Sequence, residues 1–257
     1  MNRFTRCENG VIADADFYNR LQYADTASIL LLSDTHGAVD AVRWILSAFS
    51  EECQACLFAG DGVQDIITVV REAAAGRITI PPVIIMTQGN CDSQLYPPIF
   101  PDSKNPKPFG LPVYQQKMIA GQHILLTHGH LHHVELDGRK LSMTAESLGC
   151  TIAVHGHTHV QSIESFGGVT AINPGSPLRP RGKSYGGFAV LSFDNTHRIK
   201  ATGADTTGII DRAAVENVHR QGYGKLQFYQ LIRENTGAFS AAVHAVYPIP
   251  INNIAEY

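Results

Sequence analysis

Five short apolar runs in this chain of 257 residues each stop at side chains able to hold a metal ion. Ile29–Leu32 gives way to Ser33-Asp34-Thr35-His36-Gly37, and Cys56–Ala59 to Gly60-Asp61-Gly62-Val63-Gln64-Asp65. Val83–Thr87 leads into Gly89-Asn90-Cys91-Asp92, His123–Thr127 into His128-Gly129-His130, and Thr151–Val154 into His155-Gly156-His157-Thr158-His159. Carboxylates crowded together repel and are expensive to bury unless cations offset their charge. Oxygen and imidazole donors together suit manganese, iron, cobalt, nickel or zinc, whereas magnesium alone prefers more oxygen and water. Each residue also has a plainer reading. Asp34 could cap a helix starting near Ala38. Asp61 and Asn90 sit beside glycines, where such residues commonly make turns. A lone His128 or His157 could be a hydrogen-bonded structural histidine. All these readings must hold at once to defeat a metal site.

The elements that would position these residues follow from periodicity. Val39, Val42, Ile45, Leu46 and Phe49 recur at helical spacing, as do Ile66, Ile67, Val70 and Ala74, between short buried strands. Alternating strands and helices predict an α/β fold, whose strands share one carboxyl edge where ligands bind. The second half reads differently, with hairpins expected in VYQQKMIAGQHILLTH, SIESFGGVTAIN and GGFAVLSFDNTHRIKATG. The expected architecture is a four-layer α/β/β/α sandwich of two mixed sheets flanked by helices. Leu95–Pro112 carries six prolines, so it can be neither helix nor central strand and should be a loop bordering the site.

Residues 1–27 read as an N-terminal extension (an outer helix or strap), 28–204 as the main domain and 205–257 as a C-terminal extension. In the last, IIDRAAVENVHR and LQFYQLIREN have the spacing of amphipathic helices, suited to packing or to forming a homo-oligomer.

Composition narrows the partners. The formal net charge is −3 with no basic stripe, so nucleic acid is not expected. No segment approaches the roughly 18 apolar residues of a membrane span, and the N-terminus lacks a signal-peptide core. Five scattered cysteines suit reduced thiols and a cytoplasmic location. Cys53 and Cys56 form a lone CxxC, read as two small apolar side chains at a helix-to-strand junction rather than a zinc or redox site.

The series DTH, GDGVQD, GNCD, THGH, GHTH and NPGS, in this order over roughly residues 28 to 200, resembles the calcineurin-like metallophosphoesterases, in particular their YfcE-like branch of small phosphodiesterases. The resemblance implies two divalent ions, with manganese expected. Asp34, His36 and His159 would hold one, Asn90, His128 and His157 the other, and Asp61 would bridge them. It further implies hydrolysis of a small phosphoester, most simply a phosphodiester, by a hydroxide held between the ions. Asp61, Asn90, His36, Cys91 and His130 are then the residues facing the chemistry. Many relatives carry histidine where this chain has Cys91. A cysteine beside two cations tends towards thiolate, a poor proton donor, so His36 and His130 are the other candidates for the acid. Asp92 is expected to hold Asn90 or His36, Asp65 to orient its loop or cap a helix, and NPGS to shape a turn. His123, His132, His133 and His155 read as surface or structural. Two other readings stand: a non-catalytic metal-binding scaffold of the same fold, and a nuclease or nucleotide pyrophosphatase. A complete ligand set favours the enzyme.

Overall fold

The computed structural model describes residues 2–101, 106–196 and 223–251. The first half supplies β1 (Arg6–Glu8), β2 (Val11–Ala13), α1 (Ala15–Leu21), β3 (Thr26–Leu32), α2 (Val39–Ala48), β4 (Ala55–Phe58), α3 (Val63–Ala74) and β5 (Val83–Met86). The middle supplies β6 (Leu95–Tyr96), β7 (Phe109–Gly110), β8 (Tyr114–Ile119), β9 (Gln122–Thr127), α4 (Arg139–Ser147) and β10 (Ile152–Val154). Then come β11 (Ser162–Phe166), β12 (Val169–Asn173), β13 (Gly187–Asp194), β14 (Tyr223–Arg233) and β15 (Phe239–Pro250).

All of these strands except β6 and β7 form two mixed sheets. The larger runs β1-β2-β5-β4-β3-β13-β14-β15, with β3, β4 and β5 parallel; the smaller runs β11-β12-β10-β9-β8, with β9, β10 and β12 parallel. Side chains alternate across a strand, so a run such as Ile29–Leu32 can be apolar throughout only if both faces are covered. They are. Ile29, Leu31, Leu57 and Ile85 meet Ile124, Leu126, Val154 and Ile172 of the smaller sheet in a core between the sheets. Leu30, Leu32, Cys56 and Phe58 face the other way, onto Val42, Ile45, Ile66 and Val70 of α2 and α3. Leu125, Ala153 and Ala171 of the smaller sheet pack under Leu141 and Ala145 of α4. The order of layers is therefore α/β/β/α.

Two expectations from the sequence are corrected. LQFYQLIREN is not a helix: most of it lies in β14, which pairs antiparallel with β13 and β15. Leu226, Phe228 and Leu231 fit helical spacing, but Leu226 and Phe228 join the inter-sheet core while Leu231 joins the α2/α3 side, which only a strand permits. The N-terminal residues are not solely an outer strap, because β2 pairs with β5 and extends the larger sheet. The segment IIDRAAVENVHR and, beyond Thr196, the return arm expected after Asp194 lie outside the described residues. The proline-rich stretch forms only the two-residue pair β6–β7 within otherwise irregular chain. No helix among the described residues is long and apolar enough to cross a membrane.

Candidate metal centre

The chain reaches this site by bending hard at strand ends. Among the described residues, eight non-glycine residues have positive φ, and Asp34, His36, Asp61, His157 and His159 are five of them. Left-handed backbone costs a side-chain-bearing residue about 1–2 kcal/mol. It persists where surrounding bonds over-determine it, and such residues cluster at functional sites.

The surrounding bonds are visible. Asp92 accepts the backbone N–H of Asp61 (2.7 Å), Gly62 (3.0 Å), Val63 (3.0 Å) and Gly89 (2.9 Å), tying the end of β4 to the end of β5. Its role is to clamp these two loops, not to hold the side chain of Asn90 or His36 as the sequence suggested. Asp65 accepts from Thr35 Oγ1 (2.6 Å) and the Gly37 N–H (2.8 Å), so it orients the loop after β3. Asp34 caps no helix: α2 begins after Ala38 without a side-chain cap, while Asp34 Oδ2 accepts the His157 N–H (3.0 Å). Asn173 Nδ2 donates to the Gly156 carbonyl and to Thr158 Oγ1, both at 2.9 Å, and Ser176 Oγ donates to the Asp34 carbonyl at 2.6 Å. The NPGS segment thus shapes the turn that carries the histidines.

The seven residues converge. His159 Nε2 lies 3.3 Å from Asp34 Oδ1, and His36 Nε2 lies 3.2 Å from His159 Nε2 and 3.9 Å from Asp34 Oδ1. On the other side, Asn90 Oδ1 lies 3.0 Å from both His128 Nε2 and His157 Nδ1. Asp61 lies between: its Oδ2 is 3.4 Å from His128 Nε2 and 3.7 Å from His36 Nε2. Asp34, His36 and His159 form one group with the spacing of metal ligands, and Asp34, Asp61 and His128 another. Asp34 Oδ1 is fully buried and has no hydrogen-bond partner, although three imidazole nitrogens face it. An orphaned carboxylate oxygen ringed by nitrogen donors fits a divalent cation.

Backbone carbonyls fix which ring nitrogen faces inwards. His128 Nδ1 lies 2.7 Å from the Ala59 oxygen and His159 Nδ1 2.7 Å from the Arg179 oxygen, which leaves each Nε2 for the site. Sequence reasoning missed these two acceptors, since a carbonyl has no side-chain signature. It also missed Glu135, whose Oε2 is 3.8 Å from His157 Nε2.

Electrostatics follow the same contacts. Burial pushes the Asp61 carboxyl up, but His128 and the Cys91 N–H outweigh this and hold it far below the usual range. Burial lowers the basicity of His128, yet Asp61 and Asp34 raise it overall. The contact with Asp34 raises His159, while burial and the charge of His128 lower His130 and His157.

Cys91 is exposed, its N–H donates to Asp61 Oδ1 at 2.8 Å, and its sulfur shares a ligand-spaced group with His36 and Asp61. Burial, then Asp61, Asp92 and Asp34, push this thiol up. The His130 ring stands 5.4 Å from that of His128 and 6.2 Å from that of His157, at the site but outside the convergent set. His155 is buried, and burial lowers its pKa to about 4; His123 and His133 are exposed. Cys53 and Cys56 are buried, Cys53 with its pKa pushed up to about 12, which suits packing rather than redox chemistry.

Residues 28–196 match the calcineurin-like phosphoesterase superfamily domain. The chain belongs to that superfamily. It is 27% identical over 169 residues to the probable metallophosphoesterase YsnB of Bacillus subtilis (strain 168), covering 65% of this chain and 85% of that protein. It is 28% identical over 174 residues to the phosphodiesterase YfcE of Escherichia coli (strain K12), covering 65% and 88%. The calcineurin-like fold also appears in the solved structure of Vps29 from Chaetomium thermophilum (TM-score 0.56, 16% identity, 88% of this chain and 100% of that one). A predicted phosphoesterase from Streptococcus pneumoniae TIGR4 shares it as well (TM-score 0.53, 19% identity, 86% and 99%).

Proposed function

We propose that this chain is a dinuclear metal-dependent phosphoesterase that hydrolyses phosphodiesters. The observation that carries this reading is the position of Asp61, within 3.7 Å of His36 Nε2 on one side and 3.4 Å of His128 Nε2 on the other. A carboxylate so placed suits a bridge between two cations. Asp34, His36 and His159 would hold one ion and Asn90, His128 and His157 the other. Bound there, divalent ions would supply Lewis acidity, activating water and neutralising phosphate charge. The chain's own part is to keep His128 and His159 turned inwards through the Ala59 and Arg179 carbonyls, and to hold Asp61 through the Cys91 N–H. Asn90 and Cys91 are exposed, so a phosphoester can approach from their side. Manganese is the expected ion.

Vps29 structures share the fold, and a fold alone does not specify hydrolysis. The complete donor set argues for the enzyme, since a scaffold could lose donors without penalty. The test is elemental analysis of the purified protein, then a phosphoester panel with each metal restored. Two ions per chain and diester hydrolysis are expected, with Asp61→Asn folded but inactive. An Asp61→Asn protein with full turnover in saturating manganese overturns the bridging role.

A further inference from the structure

The loop between β12 and β13 holds Arg179, Arg181 and Lys183 within five positions, in a chain whose formal net charge is −3. All three are exposed, and none forms an ion pair or side-chain hydrogen bond among the described residues. Some basic side chains elsewhere are paired, although Arg3, Arg77, Lys107 and Lys225 are, like these three, exposed and without such a partner among the described residues. Arg43 is shared between Asp40 and Glu72, Arg6 pairs with Glu8, and Arg139 with Asp137.

The loop is also fastened to the metal centre at both sides of one ligand. The Arg179 oxygen lies against His159 Nδ1 (2.7 Å), and the Arg181 N–H donates to the His159 carbonyl (3.1 Å). The Arg179 N–H donates to Ser176 Oγ (3.1 Å), which in turn holds the Asp34 carbonyl (2.6 Å). Pro177 and Pro180 fix φ between these anchors. Further along, the Gln161 N–H donates to Ser184 Oγ (3.0 Å), and the C-terminal strand braces the loop from behind. There His244 Nε2 meets Gln161 Oε1 at 2.7 Å, and the His244 ring lies 5.0 Å from that of Tyr185.

We infer that this loop is an anion subsite, which selects small phosphodiesters carrying a second phosphate group. The inference rests on the phosphoesterase reading above and names its substrate class. Guanidinium groups match the oxygens of a phosphate in paired hydrogen bonds, and a loop already held in place loses little freedom on binding. Three charges on one loop suit a small anion, whereas a nucleic acid would call for a basic stripe.

The probes are two 4-nitrophenyl alkyl phosphates that differ only in a terminal phosphate or hydroxyl, and the matching uncleavable phosphonates. Turnover is measured on the esters and binding of the phosphonates by calorimetry, all on the manganese-loaded protein. The terminal phosphate is expected to improve both kcat/KM and binding by about tenfold or more, through KM. In the double variant R179A/R181A that ratio should fall towards one, and in R179K/R181K it should be largely restored. Melting temperature and metal content check that the variants fold. Equal use of the two esters, or a ratio that the alanine variant leaves unchanged, overturns the subsite. If neither ester is cleaved but the phosphonate preference depends on the arginines, hydrolysis falls and the subsite stands. If hydrolysis proceeds without preference, the reverse holds.

Discussion

At the scale of single residues, the site is held by backbone positions that leave no room for change. A Cβ on Gly156 would run into Ser33 Oγ and approach Asp34 Oδ2 to 2.5 Å. Gly149, unlike Gly156, has positive φ (69°), but it faces open space. Gly156→Ala is therefore expected to lose bound metal and hydrolysis while keeping its far-ultraviolet dichroism. Gly149→Ala should cost only about 1 kcal/mol of strain and keep both metal and activity. Metal retention in Gly156→Ala would show that the turn can give way. Position 91 makes a second prediction. If Cys91 gives the departing oxygen no strong proton donor, rate should rise steeply as leaving-group pKa falls. General acid catalysis typically contributes about 10²–10⁴-fold. Cys91→His should narrow the gap between aryl and alkyl diesters, measured at equal metal occupancy. An unmodified protein with no leaving-group dependence would mean that another acid serves, and His130→Ala tests whether it is that ring. All seven ligand candidates were legible in the sequence because Asp, Asn and His after apolar runs carry their chemistry in their names. What the sequence could not show is the hold on them: two carbonyls and the four backbone N–H groups on Asp92.

At the scale of elements, the alternation of strands and helices was readable up to β5, because short apolar runs next to helical spacing admit few arrangements. The C-terminal segment was not. Leu226, Phe228, Tyr229, Leu231 and Ile232 satisfy helical and strand periods alike, and pairing with β13 decides between them. That outcome makes β14 and β15 part of the core rather than an appendage. Leu226 and Ile249 are fully buried against the inter-sheet core, beyond the residues that match the superfamily. Leu226→Ala should cost about 2–5 kcal/mol in chemical denaturation. A tail merely attached to the surface would lose well under 1 kcal/mol, and that result would count against the sheet.

For the whole molecule, the candidate metal centre stands where two sheets meet. Asp34, His36, Asp61 and Asn90 follow β3, β4 and β5 of the larger sheet, while His128, His157 and His159 follow β9 and β10 of the smaller. Ions held by both sets would link the two sheets and favour the folded chain, since the unfolded chain offers no assembled site. At a free metal concentration of about 100 times Kd, one site adds about 2.7 kcal/mol. For a chain of this size that is roughly 5–10 °C in Tm per site. The pH dependence has a definite sign. An imidazole binds metal only when neutral, so protons compete with the ions. Burial disfavours charge on His128, but Asp61 and Asp34 raise it overall, and the contact with Asp34 raises His159. Competition on these two therefore begins above the ordinary histidine range. The stabilisation should be complete at pH 8 and shrink as pH falls through the raised values. Scanning chelator-stripped protein with and without manganese at pH 8 and pH 5.5 measures this directly. A Tm rise of equal size at both pH values would show that the imidazoles are not the ligands, and no rise at pH 8 would remove the link between the sheets.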